Sequence, residues 1–67
     1  MDAYYVELAR DSLNKAVNEL RHAEQYAVQA GELDSLVSQI SKIISAVENR
    51  NKDLGYWLKT GVAVYKE

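Results

Sequence analysis

Glu19 and His22 stand three residues apart in a stretch without helix breakers. This is the Glu-x-x-His spacing with which helical bundles hold paired metal ions. Such a centre also needs inward carboxylates on the facing helix. The residues opposite are Ser41, Lys42 and Ile43, and none of them is a carboxylate. His22 is the single histidine and cysteine is absent, so disulfides and thiolate metal sites are excluded and structural zinc lacks ligands. The serines have no base beside them, because His22 falls on an outer face next to Arg21. The apolar seams hold no carboxylate pair whose pKa burial could shift. The expectation is no metal, no cofactor and no enzymatic activity.

Binding chemistry is better represented. Arg10, Lys15 and Arg21, with Asn14, Asn18, His22 and Gln25, line much of the outer face of the first half. Such a face could meet a phosphate backbone or an acidic protein. Glu7, Asp11 and Glu24 dilute it, and the chain carries 10 acidic against 8 basic residues, a net charge of −2. Nucleic-acid binders normally show a basic excess. A nucleic-acid face of Arg10, Lys15 and Arg21 is therefore the second choice, and it needs two copies to align the cations. The aromatics offer the first. Tyr4, Tyr5 and Leu8 come near Tyr56, Trp57 and Tyr65 if the chain folds back on itself. Aromatic rings with polar tips are favoured at protein interfaces. Tyr4, Leu8, Tyr56, Trp57 and Tyr65 are the candidate contacts for a larger protein.

These residues must be placed by helices, since proline is absent and the three glycines stand at 31, 55 and 61. Asp2 suits an N-cap, and residues 3–29 run without a breaker. Gly31 suits a left-handed stop, and Asp34 can cap a second helix over residues 35–65. The loop then spans about residues 31–34, and short loops join antiparallel neighbours. The polar run over residues 49–53 allows a break and a short third helix. The apolar phase argues for continuity, because Val37, Ile44, Asn51, Leu58 and Tyr65 keep a spacing of seven.

The same spacing predicts the packing. Val6, Leu13, Leu20 and Ala27 form one column of the first helix, and Ala9, Ala16, Ala23 and Ala30 form a second. Leu33, Val37, Ile40, Ile44, Val47, Leu54 and Leu58 answer on the second helix. Small residues facing large ones specify close helix packing. A further stripe of Leu36, Ile43, Trp57 and Val64 exceeds what one partner helix can cover. The expected fold is an all-α antiparallel helical hairpin, one domain over residues 1–67, paired into a homodimeric four-helix bundle through Leu36, Ile43 and Trp57. A chain this short, without disulfides or metal, has oligomerisation left as its stabiliser. Asn51 in the seam would fix register and partner number, and Asn51→Ile would then raise stability.

This layout is similar to the Rop type of hairpin dimer, which has comparable length and small and large core layers. No sequence motif accompanies the likeness, so no RNA-binding residue is carried over. No apolar run is long enough to cross a membrane, and Met1-Asp2 opens no signal peptide, so a cytoplasmic protein is expected. The function expected is that of a small interaction module, an adaptor, regulator or inhibitor.

Overall fold

The computed structural model describes residues 1–31 and 34–66. Two helices, α1 (Ala3–Gln29) and α2 (Asp34–Thr60), lie against each other as a hairpin. Leu33, expected in the seam, lies outside the described residues, as does Glu32. Asp2 caps α1: its backbone is extended and its side chain accepts from the Tyr4 amide at 3.0 Å. At the other end, Ala30 is the C-cap and Gly31 follows at φ 85°, a conformation that costs a glycine little. Asp34 is the first helical residue of α2, where its charge opposes the helix dipole favourably.

α2 runs unbroken through residues 49–53, so no third helix forms. Its end differs from expectation. The helix stops at Thr60 rather than near Tyr65, because Gly61 takes φ 82° and turns the chain out. The β-branched Val62 and Val64 then favour extended backbone. This tail folds back over the open end of the hairpin. The Ala63 amide donates to the Trp57 carbonyl at 3.0 Å. Val64 pairs in parallel with Asp2: the Ala3 amide donates to the Val64 carbonyl, and the Val64 amide to the Met1 carbonyl, each at 2.8 Å. The tail is thus a clasp joining both ends of the chain.

The core has two parts. Val17, Ile40 and Ile44 form the centre, with Leu20 and Val47 packed on them. Ala3, Val6 and Ala63 form the end cluster, with Leu54, Trp57 and Leu58 packed on them. The seam of α2 follows the expected columns: Val37, Ile40, Ile44, Val47, Asn51, Leu54 and Leu58 are all buried or half-buried.

The seam of α1 is half as expected. Val6, Leu13, Leu20 and Ala27 point inward. Ala9, Ala16, Ala23 and Ala30 are exposed, and the second inward column is Ala3, Arg10, Val17 and Glu24. Both columns adjoin the first, one on each side, so the choice is a rotation of α1 about its axis. Val17 buries more apolar surface than Ala16 would, and each polar intruder finds a partner. Glu24 accepts from the Ser41 hydroxyl at 2.6 Å, and Arg10 donates to Asn51. Those bonds remove the penalty for placing polar groups in the seam.

Ala63 is 4% exposed against Ala3 at 1%. Ala63→Asp would bury a carboxylate there and is expected to cost roughly 1–3 kcal/mol. A thermal melt followed by circular dichroism should fall by about 4–8 °C for each kcal/mol. An unchanged melting temperature would show that the clasp does not close the hairpin.

Candidate functional site

The hairpin has two unlike sides. One side of the seam is polar and bonded across the helices. Arg21 pairs with Glu48 at 3.0 Å, and Glu24 takes the Ser41 hydroxyl as described. Near the middle, Arg10 Nε donates to Asn51 Oδ1 at 3.3 Å, and Asn51 Nδ2 donates to Asn14 Oδ1. The Arg10 guanidinium lies over Gly55, where a Cβ would stand 3.3 Å from its Cζ. Glycine inside a helix costs about 1 kcal/mol relative to alanine. Here it makes room for the guanidinium. Beside this group lies an open cleft of about 480 Å³ lined by Arg10, Asn14, Val17, Asn18, Glu48, Asn51 and Lys52.

The opposite side is apolar. In an antiparallel pair, positions one step outside the seam face their counterparts across it. The bonded positions of α1 that include Asn14 and Arg21, with Glu48 of α2, mark the polar side. Ala9, Ala16, Ala23 and Ala30 therefore share the other side with Leu36, Ile43, Arg50 and Trp57. Leu36 is 41% and Ile43 49% exposed, and Tyr26 stands one turn from Ala23 and Ala30. Arg50 interrupts the stripe and turns to Asp53 at 3.6 Å.

The cations expected on the outer face of α1 are redistributed. Arg10, Asn14 and Asn18 face the cleft between the helices instead, and Arg21 is held by Glu48. Lys15 alone of the expected strip stays exposed without an ion pair among the described residues. Glu19 and His22 approach to 3.9 Å on the solvent face. The described residues hold no group of three or more His, Cys, Asp or Glu positioned for a metal ion.

The aromatic residues gather at the clasped end but do not form one patch. Tyr4, Leu8, Tyr56 and Tyr65 are exposed, whereas Trp57 is half-buried against the end cluster. Tyr5 is exposed and meets Tyr4 edge-on, with ring centroids 5.2 Å apart. Leu8 and Tyr56 both lie on the faces of their own helices that point away from the seam, so they look in opposite directions. Tyr4 and Leu8 are one turn apart on α1. The Tyr65 hydroxyl, carried back by the clasp, donates to Glu7 between them. Tyr65 thus lies with Glu7 toward the polar side, with Tyr4 one turn from Leu8, while Leu8 looks outward from α1 and Tyr56 outward from α2. Val64, in the expected third stripe of α2, belongs to the clasp.

No protein-family model matches the chain, and no curated protein or solved structure matches it significantly.

Asn51 is bonded on both sides within its own hairpin, which reverses the gain expected from Asn51→Ile. The substitution would leave Arg10 Nε and Asn14 Oδ1 without partners. Urea unfolding should register a loss of roughly 1–3 kcal/mol; a gain would show that the polar layer is dispensable.

The bond to Glu7, with a smaller part from burial and from the Glu7 charge, raises the Tyr65 pKa above its ordinary 10.0. A folded-state pKa above the unfolded value means stability that is complete below about pH 10 and is lost as pH rises through the raised value. In a spectrophotometric titration the ionisation of Tyr65 should be delayed to above pH 10.0. Glu7→Gln should remove the delay, and an unchanged curve would refute the bond.

Proposed function

We propose that the chain is a small interaction module that pairs with a second copy through its apolar side and offers its polar side to a larger protein, as an adaptor, regulator or inhibitor. The carrying observation is the second apolar side, which two helices alone leave uncovered. The area supports it. A compact folded chain of 7.6 kDa exposes about 4,300 Å². This chain exposes 5116 Å². The excess is near the roughly 800 Å² that each partner buries in a stable interface. The shape agrees: the radius of gyration is 15.2 Å, against about 11 Å for a compact domain of this length.

Two hairpins meeting on this side would form a homodimeric four-helix bundle. The alanines let the partner's helices approach, and Leu36 and Ile43 fill the space between, as a two-fold axis requires of a self-complementary patch. Tyr4, Leu8 and Tyr65 remain outside such a dimer and supply aromatic contact area for the larger partner. The nucleic-acid alternative is not carried forward, since Arg21 is paired with Glu48 and Arg10 is turned into the cleft, so that Lys15 alone of the three stays on the outer face.

Solution mass by light scattering tests the pairing. The expected value is twice 7.6 kDa. Ala16→Glu with Ala23→Glu should give a monomer whose helical content is retained, because both sites are exposed in the single hairpin. A monomeric parent protein, or a dimer indifferent to both charges, would overturn the apolar side as the interface. Tyr4→Ala with Leu8→Ala should leave the mass unchanged.

A further inference from the structure

The cleft beside Arg10 contains donors that the hairpin does not use. Asn51 occupies Arg10 Nε, but the remaining guanidinium N–H groups have no ion-pair partner among the described residues. Asn14 spends its carbonyl oxygen on Asn51, and its own amide N–H₂ has no acceptor among the described residues. Lys52, on the facing helix, has no ion pair there either, and it lines the same cleft. Three donors of different kinds thus converge with one half-buried cation at their centre. A half-buried guanidinium usually has a carboxylate or several acceptors. Here it has one neutral oxygen, in a helix that keeps Gly55 to give it space.

We infer that this cleft binds a carboxylate, supplied by an acidic side chain of the protein partner. A carboxylate is an acceptor-only group whose two oxygens match the guanidinium fork. The acidic residues nearby set the charge it can carry. Glu48, at the rim of the cleft, is held by Arg21. Glu7 and Asp11 line a second, smaller cleft on the other flank of Arg10, and Tyr65 occupies Glu7. With Glu48 offset by Arg21, Arg10 and Lys52 carry two positive charges and Asp11 offsets one, which leaves one for a carboxylate and too little for a phosphate dianion. The cleft lies opposite the apolar side, so a dimer leaves both copies of it open. It also lies on the same flank of α1 as Glu7, which the Tyr65 hydroxyl meets. The identity of the carboxylate's owner rests on the chain being an interaction module. The binding itself does not depend on dimerisation.

The test is a titration of the isotopically labelled chain, watched at the Arg10 Nε–H and the Asn14 side-chain amide by NMR. The probe is an acidic hexapeptide of alternating Asp and Glu. Its Asn/Gln counterpart and inorganic phosphate serve as comparisons. Saturable shifts at both side chains are expected with the acidic peptide alone, weakening as salt rises. Arg10→Gln should abolish them. It also removes the bond to Asn51, so Lys52→Gln, at an exposed position, is the variant that decides. Loss of its charge-assisted bond should weaken binding about tenfold. Absence of saturable shifts, equal shifts with the neutral peptide, tighter binding of phosphate, or an unchanged Lys52→Gln affinity would each overturn the inference. The solution mass reads the pairing separately, so failure of the cleft and failure of the dimer are distinguishable.

Discussion

The rotation of α1 about its own axis decides nearly everything else in this molecule, and Arg10 holds that rotation. With Arg10 turned inward over Gly55 and bonded to Asn51, Val17 and Glu24 follow it into the seam one and two heptads later. The alanine column is thereby turned out. Had α1 rotated the other way, Ala9, Ala16 and Ala23 would have packed against α2, and Arg10 would have faced water. The α1 side of the seam would have been wholly apolar but thinner, since alanine buries far less surface than valine, and Gly55 would have had no role. The polar layer also divides the core into a central and a terminal cluster. Sliding one helix along the other by a turn would pull Asn51 away from both Arg10 and Asn14 and leave half-buried polar groups at Arg10 and Asn51 unpaired. Such a layer contributes little net stability but penalises every alternative register.

Much of this was legible in the chain. The limits of α1, the Asp2 cap, the stop at Gly31 and the seam columns of α2 follow from spacing and from cap chemistry, which are local. Continuity through residues 49–53 also followed from phase, because a loop there would have had to preserve a heptad by accident. What sequence reasoning missed was the choice between two columns of equal period on α1. Periodicity cannot distinguish a column three residues ahead from one four residues ahead. That choice depends on whether Arg10 and Glu24 find partners on α2, a long-range fact. The signal was present in a weak form: Gly55 inside a helix has no local reason, and a glycine without one often marks a close approach from elsewhere. Arg10 was accordingly read as an outer cation when it is the centre of the cleft.

The clasp was equally hidden, although its ingredients were not. Val62 and Val64 after Gly61 signal the end of a helix, but not where the tail goes. The reason it returns is the open end of the hairpin. Two helices joined at one end by a short loop leave their other ends free to splay, and there Ala3, Val6, Leu54, Trp57 and Leu58 would meet water. Folding six residues across that end covers them with Ala63 and satisfies backbone groups at Met1, Ala3 and Val64. It also carries Tyr65 from the expected seam of α2 to Glu7 on α1. The aromatic surface at this end is therefore assembled from both termini and exists only while the clasp is closed.

The two sides of the hairpin then impose different requirements on whatever covers them. The apolar side is built of small and branched residues with few hydrogen-bonding groups, so an occupant would have to match in shape, as the proposed two-fold copy is required to do. The polar side presents donors at fixed positions and aromatic rings with hydroxyl tips. An occupant of it would have to match in charge and hydrogen bonding. The proposed arrangement, a second copy on one side and a different molecule on the other, would use that asymmetry. The asymmetry in turn follows from the single rotation that put Arg10 inside and the alanines out.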